Sequence, residues 1–162
     1  MSDLQQLYQT IILDHAKARH GASAEPLASL ADAEAGSART AESHQVNTTC
    51  GDEVTMRVTV SPIGAAEARI EGLVWNGEGC SISVASASVL NDEMKGLSVV
   101  QARALLETFR EMLRSRGTIE PDEDVLGDAA AFGGVSRYPA RVKCAMLPWV
   151  AFEAAVLEAE SH

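Results

Sequence analysis

The sequence predicts an α+β fold, a small antiparallel sheet of about three strands covered by helices. Three observations predict it. Residues 53–60 alternate strictly between polar and apolar side chains, the period of a strand with one wet face. A second extended stretch follows after a short turn, so the two pair as an antiparallel hairpin. From Cys80 onward the apolar period lengthens to that of helices and stays there.

The elements follow in order. Leu4, Leu7, Tyr8, Ile11, Ile12 and His15 recur at i, i+3 and i+4, the stripe of a first helix. Ser2 with Gln5 makes a capping box at its start, and Gly21 is its stop. Residues 22–43 are rich in alanine and acid, are broken by Pro26 and Gly36, and read as a long connection with one helical turn. A short strand ends at Val46. In the next strand Val54, Met56, Val58 and Val60 face one side and Glu53, Thr55, Arg57 and Thr59 the other. Ser61-Pro62-Ile63-Gly64 is a turn, and residues 67–76 form a further strand with Ala68 and Ile70 inward.

A helix then starts at Cys80 or Ser81, with Ile82, Ala85, Ser86 and Val89 on one face. Ser98 with Gln101 opens a longer one, whose face is Ala102, Leu105, Leu106, Phe109 and Leu113. Arg114, Arg116 and Gly117 suit its C-terminus. Residues 118–136 hold five acidic side chains and no basic one, with Pro121, Gly127, Gly133 and Gly134. They read either as a solvated loop or as an insertion facing a partner, mobile in both cases. A final helix runs from about Lys143, with Leu147, Val150, Ala151, Ala154 and Leu157 inward.

At 162 residues and without internal repeats, the chain is expected to form a single domain over 1–162, with the acidic insertion around 118–136. Hydrophobic residues make up 46%, but 26 residues are alanine and aromatics are only 4%, so small side chains must fill much of the core. Thirteen basic and twenty-three acidic residues leave a net charge of −10. That field repels phosphate backbones and anionic lipid, which argues against nucleic acid and membrane as partners. No apolar run reaches the roughly 20 residues of a membrane span. The first residues lack the basic region of a secretory signal, so a cytoplasmic location is expected.

The chemistry gathers on three cysteines and one aspartate. In Cys50-Gly51-Asp52, residues i and i+2 of extended chain point the same way, so thiol and carboxylate converge just before a strand. Cys80 stands where a strand hands over to a helix, and helix N-termini favour thiolate. Cys144 follows Arg141 and Lys143 near the start of the last helix and receives similar help. Three thiolates and a carboxylate are four ligands, the number of a tetrahedral zinc site, with Arg141 and Lys143 to offset the excess negative charge. Without a C-x-x-C pair, spacing leaves a second reading open, that of three small buried hydrophobes. The Gly, Asp, Ser and basic flanks fit that reading poorly. His15, on the apolar stripe, reads as a hydrogen-bonded core histidine. His20, His44 and His162 lie in polar stretches without ligand spacing, and Trp75 and Trp149 read as packing residues.

Four motifs together resemble a known family: Tyr8-x-x-Ile11-x-x-x-His15, Asn47-Thr48-Thr49-Cys50-Gly51-Asp52, Gly77-x-Gly79-Cys80-x-Ile82-Ser83 and Arg141-x-Lys143-Cys144-Ala145-x-Leu147. In this order they are similar to the IscU/SufU family of iron–sulfur cluster assembly proteins. IscU has a histidine directly before its third cysteine, where this chain has Lys143. SufU-type proteins have an arginine three residues before it, matched by Arg141, and an insertion between the second and third cysteines. The resemblance is therefore to the SufU-type branch. Two departures are Thr48, where the family has proline, and His20, where it has asparagine.

The resemblance implies zinc held by Cys50, Asp52, Cys80 and Cys144. It implies Cys50 as persulfide acceptor and Arg141 as a supporting charge. The implied sulfur donor is a PLP-dependent cysteine desulfurase of the SufS type, and the recipient a downstream Suf cluster-assembly scaffold. The chain would then be a sulfurtransferase acting with the desulfurase rather than a stand-alone enzyme. The alternative is a scaffold holding iron or a nascent iron–sulfur cluster at the same ligands.

Overall fold

A computed structural model describes residues 3–28, 39–61 and 68–161. Helix α1 (Asp3–Ala18) leads into strands β1 (Arg39–Asn47), β2 (Asp52–Val60) and β3 (Ile70–Glu78), then α2 (Ser81–Met94) and α3 (Val99–Arg114). A short α4 (Glu123–Leu126), a 3₁₀ segment (Gly127–Arg137) and the long α5 (Pro139–Glu160) complete the chain. The sheet is antiparallel in the order β1-β2-β3, so the expected α+β class and three-stranded sheet are what the chain adopts.

Strand alternation sets the core. Val54, Met56, Val58 and Val60 are buried as their period required, and α5 packs across β1 and β2. Phe109, Phe132 and Trp149 meet beneath α5, with Trp149 stacked on Phe109 at 4.0 Å and Phe132 edge-on to Phe109 at 5.9 Å. The expected capping box of α3 is present, Ser98 and Gln101 each bonding the other's backbone. The expected face of α3 is buried throughout.

Several expectations are corrected. The segment read as a connection includes Arg39–Ser43, which belong to β1 and pair with β2 from Val60 back to Met56. The stripe of α1 is buried only at His15, while Leu4 and Leu7 face solvent. The last helix starts at Pro139, whose missing N–H is free of cost in a first turn, rather than at Lys143. Of its expected face, Leu147 and Ala151 are buried but Val150 and Leu157 are exposed, and Trp149, Phe152, Ala155 and Val156 complete the buried side.

The largest correction concerns residues 118–136, which are not a solvated loop throughout. Leu126, Ala129, Ala130, Phe132 and Val135 belong to the core. Their acids face outward, and a 3₁₀ turn does not produce the 3.6-residue period that would have revealed its inner face. The Ser2 cap and the Pro62–Gly64 turn lie outside the described residues.

Candidate metal centre

β2 begins at Asp52, and period two puts Asp52 on the same inward face as Val54 and Met56. Its carboxylate is therefore almost wholly buried, at 1% exposure. Gly51, at φ 77°, turns the chain between Cys50 and the strand, a conformation that favours glycine. The Cys50 thiol comes to 3.0 Å from Asp52 Oδ2. Just past the end of β3, which pairs with β2, Cys80 stands at the N-cap of α2 and donates its backbone N–H to Asp52 Oδ1 at 2.8 Å, with its Sγ 3.6 Å from Oδ2. Gly79 makes this closeness feasible, because a Cβ there would lie 2.4 Å from Asp52 Oδ1 and 2.5 Å from Ser83 Oγ.

Cys144 enters from α5. Its Sγ is 3.5 Å from that of Cys50, and it leans back on the Ala140 carbonyl at 3.6 Å. Pro148, inside the helix, has no N–H to offer the Cys144 carbonyl, so the regular helical ladder is interrupted at the site. The ligating atoms of Cys50, Asp52 and Cys144 all lie within 4.8 Å of one another, and Cys80 joins them through Asp52. Cys50 and Cys80 are exposed and Cys144 is buried.

The electrostatics are those of a cation site. Burial alone would raise the Asp52 carboxyl, but hydrogen bonds from the Cys50 and Cys144 thiols, the Cys80 N–H and the Cys80 thiol hold it below its ordinary value. Among the described residues Asp52 has no ion-pair partner. A buried carboxylate with three soft thiols and no positive neighbour fits a thiophilic divalent ion. Cys144 corrects one expectation. It is the sixth residue of α5 rather than a start residue, and burial, followed by its contacts with Asp52, Cys50 and Cys80, pushes its thiol up rather than down.

Arg141 stands apart from the cluster. Its guanidinium lies 5.1 Å over the Tyr138 ring, and it lines a groove of about 850 Å³ between α1 and the 3₁₀ segment, with Ser81 and Ile82 on the same wall. His15 is the buried, hydrogen-bonded histidine the sequence suggested, bonded to Ser88 and Asp128.

A family model described as the NifU-like N-terminal domain matches residues 8–145. The chain belongs to this family. Its curated relatives place it among the IscU/SufU proteins of iron–sulfur cluster assembly. It is 40% identical over 115 residues to a protein of Bacillus subtilis described as zinc-dependent sulfurtransferase SufU, covering 70% of this chain and 73% of that one. It is 33% identical over 157 residues to a Streptococcus pyogenes protein described as iron–sulfur cluster assembly scaffold protein IscU, covering 96% and 86%. Among solved structures, a protein of Fervidobacterium islandicum described as an iron–sulfur cluster assembly scaffold for the SUF system superposes with a TM-score of 0.65 at 29% identity, covering 93% of this chain and 96% of that one. The α+β architecture is thus the family's own, and the cysteine–aspartate cluster lies within the matched span. No helix of the described residues is long and apolar enough to cross a membrane.

Proposed function

We propose that the chain is a zinc-dependent sulfur-transfer protein of iron–sulfur cluster assembly, taking sulfane sulfur onto Cys50 from a PLP-dependent cysteine desulfurase of the SufS type. The observation that carries this reading is the contrast between two facing thiols. Cys50 is exposed on a glycine turn, while Cys144, 3.5 Å away, is buried. One is placed to meet a partner and the other to hold an ion.

The ligand set would be Cys50, Asp52, Cys80 and Cys144. Zinc bound there keeps its thiolates deprotonated at neutral pH and has no redox chemistry with which to oxidise a persulfide. The chain's own residues do the rest. Asp52 fixes the Cys50 Sγ at 3.0 Å and, through the Cys80 N–H, fixes the start of α2. The Cys50 thiolate forms a bond to the sulfane sulfur as the sulfur–sulfur bond to the desulfurase cysteine breaks. That cysteine leaves with the electron pair as thiolate, so the step balances without an oxidant. The exposed groove lined by Ser81, Ile82 and Arg141 gives the partner an approach, with Arg141 offering its charge to the partner rather than to the cluster. The sulfur then passes to a downstream Suf scaffold.

Lys143, ahead of Cys144, has no acceptor with which to ligate a cluster, which favours transfer over the scaffold reading. The scaffold reading draws on the Streptococcus pyogenes relative, whose match spans most of both chains. Two measurements separate them. Protein purified without added iron should carry stoichiometric zinc. After incubation with desulfurase and cysteine, intact-mass and peptide analysis should place one added sulfur on Cys50, with none in Cys50→Ser. Sulfur on Cys80 or Cys144, or iron in place of zinc, would overturn the proposal.

A further inference from the structure

We propose a second divalent-cation site, built from His15, His20 and Asp92, at the opposite end of α2 from the cysteines. A ring nitrogen of each histidine and a carboxylate oxygen of Asp92 lie within 4.8 Å of one another. Asp92 is twelve residues along α2 from Cys80, about 18 Å at the helical rise. The two clusters therefore cannot share an ion.

Sequence spacing hides this trio, because His15 and His20 are five apart and helical ligand pairs are three or four apart. The end of α1 brings them together. Arg19 adopts φ 50°, unusual for a residue with a Cβ, and Gly21 follows at φ 80°. Arg19 is held there by the Trp75 ring, 4.9 Å from its guanidinium, and by a bond to the Gly77 carbonyl at 3.1 Å. The chain doubles back, and the two imidazoles stand edge-on with centroids 5.3 Å apart.

Each ligand is already oriented. His15 Nδ1 is 2.8 Å from the buried Ser88 Oγ, and that oxygen accepts the His20 backbone N–H at 2.9 Å. That leaves His15 Nε2 as the outward nitrogen, 2.9 Å from Asp128 Oδ2. His20 Nδ1 is 2.6 Å from Asp92 Oδ2, and these two side chains are 50% and 38% exposed, so an ion and a water can reach them. Asp128 adds a second carboxylate at the rim, with its own N–H fixed by Glu93 at 3.1 Å. Two imidazoles with carboxylate oxygen are the donor set of zinc, cobalt and nickel rather than of calcium or magnesium. Four parts of the chain meet here: α1, the turn after it, α2 and the 3₁₀ segment. An ion at this point would clip the acidic segment to the helices.

The site does not depend on the reading of the cysteines, and cobalt(II) tests the two separately. Thiolate ligation gives an intense near-ultraviolet charge-transfer band, and histidine–carboxylate ligation does not. Full-length protein titrated with cobalt(II) should bind one equivalent beyond what the thiolate band accounts for, with a further rise in Tm. His20→Ala and Asp92→Asn, both at exposed positions, should lose the extra equivalent and its Tm shift while the thiolate band is unchanged. Asp128→Asn should weaken the extra equivalent by about 10–100-fold. A titration that ends with the thiolate band, or an extra equivalent that survives in both His20→Ala and Asp92→Asn, would overturn the proposal.

Discussion

The backbone N–H of Cys80 donates to Asp52 Oδ1 at 2.8 Å, tying the cap of α2 to the first residue of β2. One carboxylate thereby positions two of the three thiols, because its other oxygen holds Cys50. Asp52→Asn keeps an oxygen for the Cys80 N–H but loses the charge. It should weaken zinc by more than the roughly tenfold that loss of an outer-shell partner costs. Cys144→Ala should lose the metal outright. Chelation should leave the far-UV helix signal largely intact, since the core is built from apolar faces that need no metal. Competition with a chromophoric chelator measures the first two and circular dichroism the third.

Two glycines in the same site should behave differently. Gly79→Ala forces a Cβ against Asp52 and Ser83, and overpacking of this kind costs about 1–3 kcal/mol. Gly51→Ala meets open space but must hold φ 77°, at a cost of about 1–2 kcal/mol. Both should destabilise, yet Gly79→Ala should impair zinc binding more, because it displaces Asp52, a member of the proposed ligand set. Denaturant titration alongside zinc affinity distinguishes strain from displacement.

Residues 126–136 should exchange their amides slowly in the isolated protein, in contrast to 118–122. Phe132 is fully buried against Phe109. Phe132→Ala should cost about 3–5 kcal/mol, a core value rather than a loop value. Hydrogen exchange and chemical denaturation check this, and rapid exchange across the whole stretch would contradict the packing.

Alkaline pH should loosen α1. Burial and then the Glu123 carboxylate, to which Tyr8 donates a hydrogen bond at 2.6 Å, push the Tyr8 hydroxyl up to about 12. Below pH about 10 the phenol is protonated in folded and unfolded chains alike, and its contribution is fully present. The contribution is lost as pH rises from there through about 12. Glu123→Gln should bring tyrosinate absorbance on at lower pH, and stability measured across this range should fall less steeply.

Features that act over a few neighbouring residues are legible along the chain. Alternation over β2 specified that Val54, Met56, Val58 and Val60 face inward. Ser98 and Gln101 specified the start of α3, and the four motifs carried the family resemblance.

Contacts between distant parts of the chain are another matter. Cys50 and Cys144 are 94 residues apart and meet because α5 crosses the sheet. Arg141, one turn earlier on α5, is turned to Tyr138 instead of the thiols. His15 and His20 converge through a backbone turn at Arg19 that no side-chain period announces. The acidic segment enters the core because Phe132 and its alanines find Phe109, while its five acids remain outside. Composition counts those acids, whereas burial depends on which neighbours the fold supplies.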